Sequence, residues 1–238
     1  MDSIKKLAEI VEESEYVVFF GGAGTSTDSG IKDFRGKNGL YKTLYKGYRP
    51  EEILSIDFFI DNRKIFSDYV KEKMSIENIK PNKGHYALVE LEKMGKLKAI
   101  ITQNIDNLHQ ESGSKKVLEL HGTLKDWYCL NCGARDDKEF KCRCGGVVRP
   151  RVTLYGEMLD EEITYEAIGE IKKADTLIIS GTSLTVYPAA NYITYFHGKN
   201  LVIINEDSTG YDSNATFSIK GNFSETLDSL VKEIKRAL

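Results

Sequence analysis

A chain of 238 residues, 41% of them hydrophobic, has enough apolar mass for one large domain or for one domain with a small insert. The formal net charge of −3 gives no global basic field to draw nucleic acid, so a partner must be recognised at a local site. No stretch approaches the roughly 20 apolar residues of a membrane span, and the N-terminus has no apolar core of signal-peptide length, so a cytosolic, cytoplasmic protein is expected and the Asn-x-Ser/Thr matches at Asn214 and Asn222 carry no weight.

Residues 1–16 read as an amphipathic helix, because Ile4, Leu7, Ala8 and Val11 recur at helical spacing. Residues 16–20 are a β-branched and aromatic run stopped by Gly21-Gly22, which predicts a strand. Residues 36–83 are expected to be mostly helical after a loop rich in Gly, Lys and Tyr. A helix over residues 84–94 ends at Gly95, as helices often do. Further strands are predicted over 98–102, 175–180 and 201–204, and the apolar run Val117, Leu118, Leu120 ends another. Strands buried on both faces and separated by helices imply a Rossmann-like α/β fold with a parallel sheet, whose ligands lie at the carboxyl ends of the strands. The expected division is a main domain of residues 1–35, 85–123 and 151–238, with a small domain made of a helical insert (36–84) and a cysteine-bearing segment (124–150).

Gly22-Ala23-Gly24-Thr25-Ser26-Thr27-Asp28-Ser29-Gly30 follows the first strand and is expected to open a helix. Bare glycines let backbone N–H groups approach a pyrophosphate, although Thr27 stands where the dinucleotide fingerprint has a third Gly. The plain alternative is a tight turn. The continuation Asp33-Phe34-Arg35 adds a ring and a cation suited to phosphate. Gln103-Asn104-Ile105-Asp106 offers amide and carboxylate groups to ribose hydroxyls and a carboxamide, or else a helix cap from Asn104 or Asp106. His121 ends a strand, and a neutral imidazole there can serve as a base, whereas His85, His109 and His197 have no such position. Gly181-Thr182-Ser183 is a second phosphate-cradle candidate, and Asn205-Glu206 closes the last strand; both fit ordinary strand-end turns as well. The only cysteines are Cys129, Cys132, Cys142 and Cys144, whose clustering favours one closed tetrahedral structural zinc over disulfides or redox use.

In this order the motifs resemble the sirtuin family, from Gly22 to about Leu230. The resemblance rests on the Gly-Ala-Gly loop running into Phe34-Arg35-Gly36, on Gln103-Asn104-Ile105-Asp106, His121-Gly122, the four cysteines, Tyr155-Gly156-Glu157, and Gly181-Thr182-Ser183-Leu184 with Val186-Tyr187-Pro188. It implies an NAD-dependent protein-lysine deacetylase that releases nicotinamide and acetyl-ADP-ribose. Gly22, Ala23, Gly24, Thr27, Phe34 and Arg35 would hold the phosphates and shield the ribose; Gln103, Ile105 and Asp106 would take the nicotinamide end; Gly181, Thr182, Ser183, Asn205 and Glu206 would face the adenosine half. Asn104 would orient the nicotinamide ribose and a water, and His121 would be the base. An acetylated protein lysine would enter as an extended strand along Thr153, Tyr155, Gly156, Glu157, Leu184, Val186 and Tyr187, read by backbone pairing and so with loose sequence preference. Neither nucleic acid nor membrane is an expected partner.

Departures from the family are few: Thr25 stands where Ile or Val is usual, Lys32 where Pro is, and Leu154-Tyr155 replaces an aromatic pair. Sirtuins that strip acidic acyl groups resemble one another in a Tyr-x-x-Arg pair on a helix of the insert. This chain has no such pair; its matching helix is expected over residues 65–74, with Ser67 and Val70 at the two positions. Neutral acyl groups are therefore the expected substrates. The rival readings are a mono-ADP-ribosyltransferase or a non-catalytic NAD sensor on the same scaffold, and a nicotinamide dehydrogenase, which the zinc ribbon and the missing glycine disfavour.

Overall fold

The computed structural model of the chain describes residues 2–34, 36, 39–135 and 142–237. Arg35, the cation expected beside the first loop, lies outside the described residues. Helix α1 (Asp2–Glu13) leads into β1 (Val17–Gly21), all five of whose residues are buried. The insert follows with short helices α2 (Pro50–Ile53), α3 (Ile56–Asp61) and α4 (Arg63–Lys73). Next come α5 (Lys83–Lys93), β2 (Leu97–Thr102), α6 (Leu108–Ser112) and β3 (Val117–Glu119). A two-stranded antiparallel ribbon, β4 (Gly122–Cys129) with β5 (Val148–Val152), precedes α7 (Glu161–Lys173). The chain closes with β6 (Thr176–Ser180), β7 (Asn200–Asn205), β8 (Phe217–Lys220) and α8 (Phe223–Ala237).

Six strands form one parallel sheet in the order β3-β2-β1-β6-β7-β8. The chain winds outward from β1 through β2 to β3, then restarts at β6 on the other side. The switch point therefore falls between β1 and β6, where a crevice opens at the strands' carboxyl ends. Alternate side chains of β1 serve opposite layers. Phe19 packs with Leu7, Val11, Leu88 and Leu230 from α1, α5 and α8, whereas Phe20 packs with Ala167 and Ile171 of α7 and with Ile193. A third cluster collects Phe58, Phe59, Phe66 and Tyr69 of the insert with Leu124, Trp127 and Val148 of the ribbon.

The predicted strands appear with ends shifted by a residue or so, and Gly95 closes α5 with φ 73°. Two expectations change. The first loop opens not an α-helix but a seven-residue 3₁₀ segment, Ala23–Ser29, ended by Gly30 at φ 91°, so it has no long helix to aim at a phosphate. Strand β8 had no counterpart in the sequence reading, because it is an edge strand of four residues that alternates half-buried and exposed rather than forming an apolar run. Among the described residues no helix is long and apolar enough to cross a membrane.

Candidate active site

The loops after β1, β2, β6 and β7 meet over a cavity of about 420 Å³. Its wall includes Gly22, Ala23, Gly24, Thr27, Phe34, Gln103, Asn104, Ile105 and His121, then Thr153, Tyr155, Gly156 and Glu157, and finally Gly181, Thr182, Ser183, Val186, Tyr187, Asn205 and Glu206. Two expected residues do not reach the wall. Leu184 sits at φ 56° and buries its apolar side chain in the layer beneath, with its N–H given to Thr182 Oγ1. Asp106 is also buried; its carboxylate accepts from Ser26 Oγ at 2.7 Å and from the Leu108 N–H at 3.0 Å, in a turn just ahead of α6, whose capping position is Asn107 rather than the Asn104 or Asp106 expected. Burial raises its pKa, against those two bonds.

The glycines of the first loop serve contact between loops. A Cβ on Gly24 would lie 2.7 Å from Gly181 Cα, and one on Gly22 would lie 2.7 Å from Thr182 Cβ. The Gly22 and Gly24 N–H groups go to Ser180 and Gly181 carbonyls, at 3.1 and 2.8 Å. Neither is therefore left for a phosphate in this arrangement, and what the glycines supply is the close approach of β1 and β6 loops that shapes the cradle. Asn205 is likewise committed: its Oδ1 accepts from the Gly181 N–H at 2.7 Å and its Nδ2 donates to the Thr182 carbonyl at 3.0 Å. It fixes the β6 loop, while Glu206 beside it accepts from Asn222 Nδ2.

His121 and Asn104 both line the cavity. His121 Nδ1 lies 2.9 Å from the Gln103 carbonyl oxygen. A carbonyl only accepts, so Nδ1 carries the proton and the neutral ring keeps its lone pair on Nε2. Burial lowers the His121 pKa, partly opposed by that bond. The other histidines differ. His85 and His109 are completely buried with ring centroids 4.8 Å apart, and burial holds the first at about 4 and the second well below its ordinary value. His197 is not part of the wall. Of the four, only His121 presents a basic nitrogen to the cavity.

On the opposite rim, the Tyr155 main chain is already paired: its N–H goes to Leu54 and its carbonyl receives Ile56, both at 2.9 Å. Glu157 is a structural anchor. Its two oxygens take both Nη atoms of buried Arg149, at 2.7 and 2.8 Å, and the Leu154 N–H at 2.8 Å. Substrate contact through that carboxylate is thereby replaced by support of the rim.

The four cysteine sulfurs lie within 4.8 Å of one another, with Cys129–Cys144 at 3.6 Å and Cys132–Cys142 at 3.7 Å. Those gaps far exceed a disulfide bond and match the separation of about 3.8 Å between thiolates bound tetrahedrally to zinc at about 2.3 Å. The N–H groups of Asn131 and Gly146 point to Cys129 and Cys144 sulfurs at 3.4 Å, as in metal-binding turns. The residues fit a closed metal site.

A model of the Sir2 family, the sirtuins, matches residues 22–188. The chain belongs to that family. It is 63% identical over 99% of its length to an NAD-dependent protein deacetylase of Fusobacterium nucleatum, covering 94% of that protein. An NAD-dependent protein deacetylase of Clostridium acetobutylicum is 48% identical, with 97% of this chain and 99% of that one covered. A solved structure described under the mechanism and regulation of Sir2 enzymes superposes with TM-score 0.90 at 42% identity, over 100% of this chain and 99% of that one. A Sir2 complex with a p53 peptide and NAD+ gives 0.87 at 36%, over 97% and 98%.

Against that family background, some wall residues of this Sir2 chain had no motif to mark them. Leu54 and Met74 reach the cavity from the insert, and no periodicity singles them out from the core they also serve. Ser26 and Thr25 hold Asn104 from behind; the sequence clue was a hydroxyl at position 25, where an apolar residue is usual.

Proposed function

We propose that this chain removes acetyl groups from protein lysines at the expense of NAD, releasing nicotinamide and acetyl-ADP-ribose. The observation that carries it is the tautomer of His121. A neutral base, fixed by the Gln103 carbonyl, stands in the same cavity as Asn104 and beneath two glycine-bearing loops. NAD supplies the electrophilic anomeric carbon and the nicotinamide leaving group. Gly22, Ala23, Gly24, Thr27 and Phe34 line the part of the cavity suited to its phosphates and nicotinamide ribose, where Arg35 would add a cation, and Gln103 and Ile105 line its nicotinamide end, with Asp106 buried behind the wall and holding Ser26. Gly181, Thr182, Ser183 and Glu206 line the adenosine end, and Asn205 shapes it by fixing the β6 loop. Asn104 orients a ribose hydroxyl and a water. His121 Nε2 takes the ribose proton, a general-base role that needs the lone pair its tautomer supplies. The cavity walls exclude bulk water and hold the reactants in line.

The acetyl-lysine peptide adds as an extended strand between Tyr155-Gly156 and the loop ending at Val186-Tyr187. Because Tyr155 spends both its main-chain groups on Leu54 and Ile56, pairing falls to Gly156 and to the 185–187 main chain. Recognition through backbone gives loose sequence preference. One zinc held by Cys129, Cys132, Cys142 and Cys144 supplies stability and no open coordination position. The chain divides into a main domain of residues 1–35, 85–123 and 151–238 and a small domain of 36–84 and 124–150. The separate third cluster supports this, with Val152 and Leu154 packed at the seam. Four reduced thiols around a metal suit the cytoplasm.

The deciding experiment incubates the protein with NAD and an acetyl-lysine peptide and analyses products by mass. Free nicotinamide, deacetylated peptide and acetyl-ADP-ribose are expected. ADP-ribose attached to the peptide, or no turnover, would overturn the reading.

A further inference from the structure

Thr25 is completely buried and reaches the cavity only through another side chain. Its main chain is pinned twice, with its N–H given to the Gly22 carbonyl at 2.9 Å and its carbonyl receiving Asn82 Nδ2 at 2.8 Å. The hydroxyl is therefore held in a fixed place. Oγ1 lies 2.8 Å from the Gly22 carbonyl oxygen and 2.9 Å from Asn104 Nδ2. A hydroxyl has one proton. Since a carbonyl only accepts, that proton goes to Gly22, and Oγ1 meets Asn104 as an acceptor. The same count applies to Ser26: its proton goes to Asp106 Oδ2 at 2.7 Å, and its oxygen accepts from Asn104 Nδ2 at 3.0 Å. Two hydroxyls with their protons spent settle which way round the Asn104 carboxamide lies. Both amide hydrogens point back into the first loop, and Oδ1 is the polar atom that Asn104 offers the cavity.

We propose that Thr25 is a positioning residue for Asn104: its hydroxyl, with that of Ser26, locks the carboxamide so that Oδ1 accepts from the ribose hydroxyl or water that the reaction orients. This rests on the function proposed above. An Ile or Val at this position leaves Asn104 with one anchor and lets the amide turn about it. The Gly22 carbonyl keeps the Thr25 N–H in either case, so the loss falls on Asn104 alone.

Two substitutions separate this role from packing. Thr25→Val keeps the shape and the methyl that lies against the Gly181 backbone, but loses the hydroxyl; Thr25→Ser does the reverse. With NAD and an acetyl-lysine peptide, Thr25→Val is expected to lower kcat about tenfold, as loss of one buried hydrogen bond of about 1.4 kcal/mol implies. KM for NAD and the melting midpoint should hold, and Thr25→Ser should rescue kcat. If the residue only packs, the order reverses: Thr25→Ser is impaired and Thr25→Val is not, which would overturn the inference. The Asn104 side-chain amide resonances give a readout independent of turnover. One proton signal should move upfield in Thr25→Val and stay in Thr25→Ser; no movement in Thr25→Val also overturns the inference. A parent protein without deacetylase activity would sink the function reading, and the amide resonances would still decide the role of Thr25.

Discussion

At the scale of single residues, the His121 ring shows how burial and one carbonyl tune a base. The Gln103 carbonyl selects the tautomer, and the enclosing wall disfavours the charged form. The sign follows directly. A histidine whose pKa is lowered stays neutral to more acid pH, so its service as a base persists as pH falls and is lost only below the ordinary value of 6.5. The acid limb of kcat/KM for deacetylation should therefore have its midpoint below 6.5; a midpoint above that value would contradict the burial argument. Replacing His121 with Ala should cut deacetylation by roughly 10²–10⁴-fold, the usual worth of general-base proton transfer. NAD binding should change little, and nicotinamide exchange should survive better than turnover. Near-normal deacetylation by His121→Ala would remove the residue from its role.

At the scale of elements, two devices hold the ribbon and rim. The first is the cysteine cluster at one end of β4 and β5, where four sulfurs gather at separations well beyond a disulfide bond. Metal analysis should find one zinc per chain, and chelation should lower the melting midpoint, because the metal's binding free energy is part of folding. Zinc-free protein of unchanged stability, or a Cys129–Cys132 disulfide under reducing conditions, would refute this. The second is the Arg149–Glu157 pair, which ties β5 to the turn carrying Tyr155 and Gly156. Arg149 keeps only 3% of its side chain exposed, stacks over Phe59 and gives Nη2 also to the Val152 carbonyl at 2.6 Å. Glu157→Ala strands a buried guanidinium. With Glu157 itself 27% exposed, the cost should be about 3 kcal/mol, the lower end for breaking a buried pair. Chemical denaturation measures it, and a loss under about 1 kcal/mol, the range of a surface pair, would mean that solvent reaches Arg149 easily.

At the scale of the whole molecule, the cavity's charge bears on which acyl groups the proposed deacetylase would take. Among the described residues no Lys or Arg lines it, whereas Asp33, Glu157, Glu206 and Asp207 do. The insert contributes Leu54 and Met74, and α4 keeps Val70 buried in the third cluster, so neither position expected to matter brings a cation. A carboxylate taken out of water needs a cation and a donor. Acetyl-lysine should thus be processed much faster than succinyl-lysine on one peptide. Equal rates would reveal a cation reaching the cavity from elsewhere in the chain.

The sequence by itself determined the alternation of buried strands with helices, the parallel sheet, the cysteine cluster and the identity of the loops at the strand ends. Each of these is written in local terms: apolar runs between glycines, or cysteines within one short segment. It also picked His121 from four histidines by its place at a strand end. What only the tertiary structure decided is which atom each polar side chain spends, and on what. Glu157 reads as a substrate contact until Arg149, eight positions earlier, takes its carboxylate, and Asn205 reads as facing the adenosine half until the β6 loop takes its amide. Leu184 turns inward because its backbone φ is positive, which its place in a polar motif hides. The orientation of Asn104 depends on two hydroxyls nearly eighty residues away, brought together where β1 and β2 lie side by side. Hydrogen bonds are short and directional, so their pairing is fixed only when the chain has brought distant groups within reach.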